Sequence, residues 1–199
     1  MTPELLSYLR CPVSREPLEM EVLQTGTKHY NGIEKEIILS SILRSSDFIF
    51  PIINGIPRLT VEAFIDYETF LAKNVKDFVA IKEKINKTYS GLLQFVLKKN
   101  KRTKKSFSQE WGLFNYEEDK VWDADTEGML QRFLQENDET KETLKGKLIL
   151  DAGCGNGLLN QSIATCGATI IGMDFSQSIE RAFEKNTESG ALFIQGDVQ

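Results

Sequence analysis

The residues best suited to chemistry sit in the last third of the chain. The run Asp151-Ala152-Gly153-Cys154-Gly155-Asn156-Gly157 sets an acid just ahead of three alternating glycines, and two further acids, Asp174 and Asp197, each close a later apolar stretch. Glycines in such a turn let the backbone approach a ligand without an intervening side chain and admit positive φ. A carboxylate makes charge-assisted hydrogen bonds to hydroxyl or amino donors. Together they describe a binding site for a small polar ligand.

Regular elements must hold these residues. Leu148-Ile149-Leu150 is a short apolar run of the kind buried in a parallel sheet, and it feeds directly into the glycine turn. Residues 158–166 have helical composition, with Gly167 placed to end the helix. A second strand over 168–173 ends at Asp174, a helix N-capped by Ser176 packs through Ile179, Ala182 and Phe183, and a third strand over 191–194 ends at Gly196-Asp197. The order β-α-β-α-β with right-handed crossovers predicts a three-stranded parallel sheet with its ligand crevice at the carboxyl ends of the strands.

Spacing selects among ligands. The dinucleotide fingerprint asks for a glycine where Leu158 stands, and it does not ask for an acid where Asp151 stands. Both departures favour S-adenosyl-L-methionine over NAD. The segments Leu150-Asp151-Ala152-Gly153-Cys154-Gly155-Asn156-Gly157, Gly172-Met173-Asp174-Phe175-Ser176 and Gly196-Asp197 closely resemble the class I S-adenosylmethionine-dependent methyltransferases. The resemblance implies that Asp151, Gly153 and Gly155 lie beneath the methionine and ribose portions of the cofactor. It implies that Asp174 accepts from the ribose hydroxyls, that Phe175 covers the adenine face and that Asp197 accepts from the adenine amino group. Cys154 then has a structural place rather than a nucleophilic one, and no catalytic base is identified.

The preceding chain divides into a module at 1–60 and a linker at 61–145. Thr2-Pro3-Glu4 starts a short helix through Leu5, Leu6 and Leu9, stopped by Cys11-Pro12. Short β pieces follow between Leu18 and Leu59, with a turn at Asn54-Gly55. Residues 1–60 resemble the small zinc-ribbon-like proteins that activate methyltransferases, through Cys11-Pro12-Val13-Ser14, Pro17-Leu18, Phe50-Pro51-Ile52 and Gly55-Ile56-Pro57-Arg58-Leu59. Ser14 replaces the second cysteine of that pattern and no later cysteine pair exists, so the module is expected to fold without metal. Apolar residues from Val61 to Val96 recur at helical spacing and predict one or two amphipathic helices, interrupted near Ser90-Gly91. The aromatic group Phe107, Trp111, Phe114, Tyr116 and Trp122 either lines a pocket or packs, and 126–136 reads as a further helix.

The expected fold class is therefore α/β: a partial Rossmann-like methyltransferase sheet, the βαβαβ half, at 146–199, preceded by a small α+β zinc-ribbon-like module and a helical linker. Composition agrees with a globular protein, at 41% hydrophobic and 27% charged residues. No apolar run reaches the ~20 residues of a membrane span and no export signal is apparent, so the expected location is cytoplasmic. A net charge of −5 disfavours a broad nucleic-acid-binding face, and the basic run 98–105 reads as a solvated linker. Cys11, Cys154 and Cys166 lack paired spacing and are expected to be free thiols, and the sole histidine, His29, is expected to be a surface or structural residue. Few residues follow the third strand where the full fold has a second βαβ half, so the sequence is expected to be a fragment. Its methyl acceptor, a small molecule or otherwise, and its oligomeric state are not specified. The competing readings are a non-catalytic S-adenosylmethionine-binding scaffold, an NAD-dependent oxidoreductase and an interaction module that activates a partner methyltransferase.

Overall fold

The computed structural model describes the backbone of residues 1–113 and 126–198, and the side chains of these outside 102–113. The aromatic group from Phe107 to Trp122 and the end of the basic run 98–105 therefore lie outside the described side chains. The chain opens with a 3-10 helix, Pro3–Tyr8, whose proline occupies the first turn. Thr2 precedes it in extended conformation, but its hydroxyl makes no capping hydrogen bond.

Strands β1 (Glu19–Tyr30) and β2 (Ile33–Arg44) form one long antiparallel hairpin, 12 residues on each side. Its turn is Asn31-Gly32, both at positive φ, a pairing whose twist suits a two-residue hairpin loop. These strands are longer than the short pieces expected from sequence. The reason is that most of β1 is exposed and polar on both faces, so it lacks the alternation that marks a half-buried strand. Strands β3 (Ile49–Ile53) and β4 (Ile56–Pro57) continue the sheet in the order β1-β2-β3-β4, turning at Asn54-Gly55 as the sequence indicates.

Residues 61–96 fold into more helices than expected: α1 (Ala63–Asp66), α2 (Glu68–Asn74), α3 (Phe78–Thr88) and the start of α4 (Ser90–Leu113). The apolar spacing persists across these breaks because each piece docks on the same core, which periodicity alone reads as one helix. Helix α5 (Thr126–Glu136) follows as predicted.

The C-terminal part has the anticipated order. Strand β5 (Leu148–Ala152), helix α6 (Leu158–Thr165), strand β6 (Thr169–Asp174), helix α7 (Ser178–Lys185) and strand β7 (Leu192–Gln195) build a parallel sheet ordered β5-β6-β7. Helix α7 begins two residues beyond Ser176, with Gln177 as its cap. The Ser176 hydroxyl instead accepts from the Ser178 amide at 3.2 Å.

The two sheets are joined at their edges. Arg58 pairs with Gln195 in a parallel bridge, and the Leu59 amide donates to the Gln195 carbonyl at 2.8 Å. One apolar cluster runs from Ile42, Leu43, Phe48, Phe50, Phe64 and Leu71 to Ile171 and Ile194 of the parallel sheet. A second, around Leu130, Leu134, Ile163, Ile170, Ile179 and Phe193, takes in Ile56 from β4. Burial of this size, at roughly 1.5–3 kcal/mol per large side chain, ties the N-terminal sheet to β6 and β7. Among the described residues no helix is long and apolar enough to cross a membrane.

Candidate functional site

The glycine loop is held across the end of β6 by backbone bonds. The Gly153 and Cys154 amides both donate to the Met173 carbonyl, at 2.7 and 3.1 Å. Gly153 and Gly157 adopt positive φ, +95° and +71°, for different ends. A methyl group on Gly153 would meet nothing within 4 Å, so this glycine keeps the space above β5 clear. A methyl group on Gly157 would lie 2.8 Å from both Ala182 and the Phe193 ring. Gly157 thus lets α6 start hard against α7 and β7.

Asp174 is the hub of the strand ends. Its Oδ2 accepts from the Gly155 amide at 2.9 Å, while Oδ1 accepts from the Ser176 amide and hydroxyl, each at 2.7 Å. One carboxylate therefore ties the β5–α6 loop to the β6–α7 loop. Two carboxylate oxygens offer about four acceptor positions, so a further donor fits without displacing any of these. Rotation of the Ser176 hydroxyl toward Ser178, with which it already pairs at 2.7 Å, opens another.

Asp151 lies on β5 opposite Gly172 of β6. Burial raises its carboxyl above the ordinary carboxylate range; the Asn160 amide on α6 works against that rise, and the neighbouring Asp174 charge adds to it. Burial, reinforced by Asp174 and Asp151, pushes the Cys154 thiol far above its ordinary value. A thiol so protonated is a poor nucleophile, in keeping with a structural place for Cys154.

Phe175 and Asp197 flank this centre. The Phe175 carbonyl accepts from Gln195 Nε2 at 3.0 Å. Asp197 lies just beyond β7, and its Oδ2 accepts from Lys99 Nζ at 3.2 Å and Asn100 Nδ2 at 3.4 Å. Asn100 also donates to the buried Glu62 at 2.8 Å. The structure thus brings Asp151, Gly153, Gly155 and Asp174 together at the ends of β5 and β6, with Phe175 adjoining. Asp197 sits at the end of β7, facing α4.

Sequence reasoning passed over the polar residues that link this end of the sheet to the N-terminal module. Arg58 is almost fully buried and pairs with Glu180 of α7, and Tyr67 donates to Gln195 Oε1 at 2.6 Å. The available signals were an arginine set between Pro57 and Leu59, and a glutamine closing the apolar run Leu192-Phe193-Ile194. Elsewhere, Cys11 is buried and its sulfur accepts from the Ser14 amide at 3.4 Å. His29 is exposed beside Glu34 at 3.5 Å.

Comparison with known proteins finds likeness in this same part of the chain. Residues 150–199 match the methyltransferase domain family. The ubiquinone biosynthesis O-methyltransferase of Coxiella burnetii (strain RSA 493 / Nine Mile phase I) is 41% identical over 61 residues, 31% of this chain and 26% of that protein. Its counterpart from Bordetella pertussis (strain Tohama I) is 43% identical over 53 residues, 26% of this chain and 22% of that protein. The chain spans about a quarter of the length of these curated relatives. Among solved structures, magnesium protoporphyrin IX methyltransferase from Synechocystis PCC 6803 with bound SAH is 26% identical, covering 36% of this chain and 33% of that one, with a TM-score of 0.29.

Proposed function

We propose that the strand ends of the parallel sheet bind S-adenosyl-L-methionine and that the protein transfers its methyl group to an acceptor. The observation that carries this reading is the Asp174 hub, in which a carboxylate at the end of β6 fixes the glycine loop and keeps acceptor capacity for a further donor. The open space above Gly153 fits a ligand lying across the loop. The match of residues 150–199 to the methyltransferase domain supports the same chemistry.

When bound, the cofactor supplies a methyl group already activated on a sulfonium. The residues here have only to bind and orient. Asp174 would take the ribose hydroxyls, the Gly153 backbone would allow close approach, and Phe175 would cover the adenine. Asp197 would accept from the adenine amino group, and its bonds to Lys99 and Asn100 fix the direction of its carboxylate. In-line displacement depends on that positioning, and a base is needed only where the acceptor must lose a proton.

Equilibrium binding of S-adenosylhomocysteine and of NAD to the same chain tests the reading. Selective binding of the former supports it, and selective binding of NAD refutes it. Tight cofactor binding without methyl transfer to any of a panel of phenolic, carboxylic and amine acceptors would refute the transfer step and leave a non-catalytic binding scaffold.

A further inference from the structure

We propose that Gln195 is a positioning residue through which the N-terminal module holds the Phe175 backbone at the adenine side of the site; this rests on the cofactor reading above. Gln195 is the last residue of β7, is 9% exposed and stands opposite Asp174 in the parallel register. Its side chain bridges two parts of the chain. Oε1 accepts from the Tyr67 hydroxyl at 2.6 Å and from Arg58 Nη1 at 3.3 Å, while Nε2 donates to the Phe175 carbonyl at 3.0 Å.

The orientation of this amide is decided by chemistry. A guanidinium has no acceptor, so the side of the glutamine facing Arg58 must be its oxygen. The nitrogen is then left facing Phe175. Arg58 is itself fixed, with 1% exposure, a bond from Nη2 to the Ile53 carbonyl at 3.2 Å and an ion pair to Glu180 on α7. Its guanidinium also lies 5.4 Å from the Tyr67 ring centroid. The main chain of Gln195 is held as well, by the Leu59 amide.

The result is a continuous polar strut. It begins at Ile53 and Arg58 of the N-terminal module, passes through the Gln195 amide and ends on the peptide that joins Phe175 to Ser176. Asp174 fixes one side of that peptide through the Ser176 amide, and Gln195 fixes the other through the Phe175 carbonyl. Low-dielectric surroundings strengthen each bond and make a missing donor costly. A hydrophobic residue at 195 would fill the same strand position but could not pass orientation from Arg58 and Tyr67 to the loop.

Gln195→Glu tests the strut in the full chain. It keeps oxygens facing Arg58 and Tyr67 but turns a second acceptor toward the Phe175 carbonyl. Two measurements are needed: amide hydrogen exchange at residues 174–177 without ligand, and calorimetry with S-adenosylhomocysteine. The expected result is exchange about tenfold faster at 174–177 in a chain that stays folded by circular dichroism, with exchange in β1 and β2 unchanged, and affinity about tenfold weaker. Tyr67→Phe, which removes one hydroxyl and keeps the ring over Arg58, is expected to shift both in the same direction by a smaller factor. Unchanged exchange in Gln195→Glu overturns the strut. Faster exchange with unaltered affinity overturns its role in the site. Faster exchange in a chain whose wild type does not bind the ligand supports the strut and overturns the cofactor reading.

Discussion

Gly157 and Gly153 share a motif and a backbone conformation, yet replacing each by alanine is expected to do different things. In both, alanine adopts a left-handed φ that costs about 1–2 kcal/mol. At Gly157 the added methyl also meets Ala182 and Phe193 at 2.8 Å, inside the packed junction of α6, α7 and β7. Overpacking of that kind costs a further ~1–3 kcal/mol, for a total of about 2–5 kcal/mol. At Gly153 nothing lies within 4 Å, so only the backbone cost of about 1–2 kcal/mol remains. Urea denaturation of both variants measures the difference, and titration with S-adenosylhomocysteine measures the other half of the contrast. Gly153→Ala is expected to stay largely folded but bind weakly, because its methyl enters the space above the loop. Should Gly153→Ala prove the more destabilising of the two, the division of labour between the glycines is wrong.

Arg58→Ala is expected to cost about 2–4 kcal/mol in denaturation, mainly through lost packing and hydrogen bonds, because the Glu180 carboxylate, 40% exposed, can rehydrate. Glu180→Gln leaves the Arg58 guanidinium, 1% exposed, with neutral acceptors only and should cost roughly 1–3 kcal/mol by the same measurement, and a loss well under about 1 kcal/mol would show that the buried charge does not depend on Glu180. Stability should also vary in the alkaline range. Burial lowers the Lys28 amine from 10.5 to about 8, so between these values the unfolded chain binds a proton that the folded chain lacks, and stability rises with pH. Burial raises the Tyr30 hydroxyl from 10.0 to about 12, so the folded chain keeps a proton that the unfolded chain loses, and stability falls from pH 10 to 12. Urea midpoints should therefore climb above pH 8 and decline beyond about 10.5, and Lys28→Met should flatten the climb; a climb that persists in this variant points to another group.

The parallel sheet was legible because it is locally encoded. Each strand is an apolar run ended by a glycine or an acid, and each helix carries its own apolar face, so β5 to β7 and α6 fall within a residue or two of expectation. The glycine loop and Asp174 were legible for the same reason: both lie next to strands that place them at one end of the sheet. The long β1–β2 hairpin was not, since its outer strand is polar on both faces and is stabilised by pairing rather than by burial. Nor were the bonds of Arg58, Tyr67 and Lys99 to Gln195 and Asp197. These link residues about a hundred or more positions apart, and no local pattern records which buried polar groups will meet. The sequence placed Ser176 as the helix cap, whereas in the structure its hydroxyl serves Asp174 as much as the helix, because the carboxylate is the stronger partner.

Calorimetry of S-adenosylhomocysteine with the wild-type chain and with Asp174→Ala tests the central claim most directly. Loss of charge-assisted hydrogen bonds worth about 1.5–3 kcal/mol corresponds to roughly 10- to 100-fold weaker binding. The wild type should bind one equivalent, and Asp174→Ala should bind 10- to 100-fold more weakly while remaining folded by circular dichroism. A wild type that binds none, or a folded Asp174→Ala that binds equally well, would contradict the assignment of the strand ends as the cofactor site.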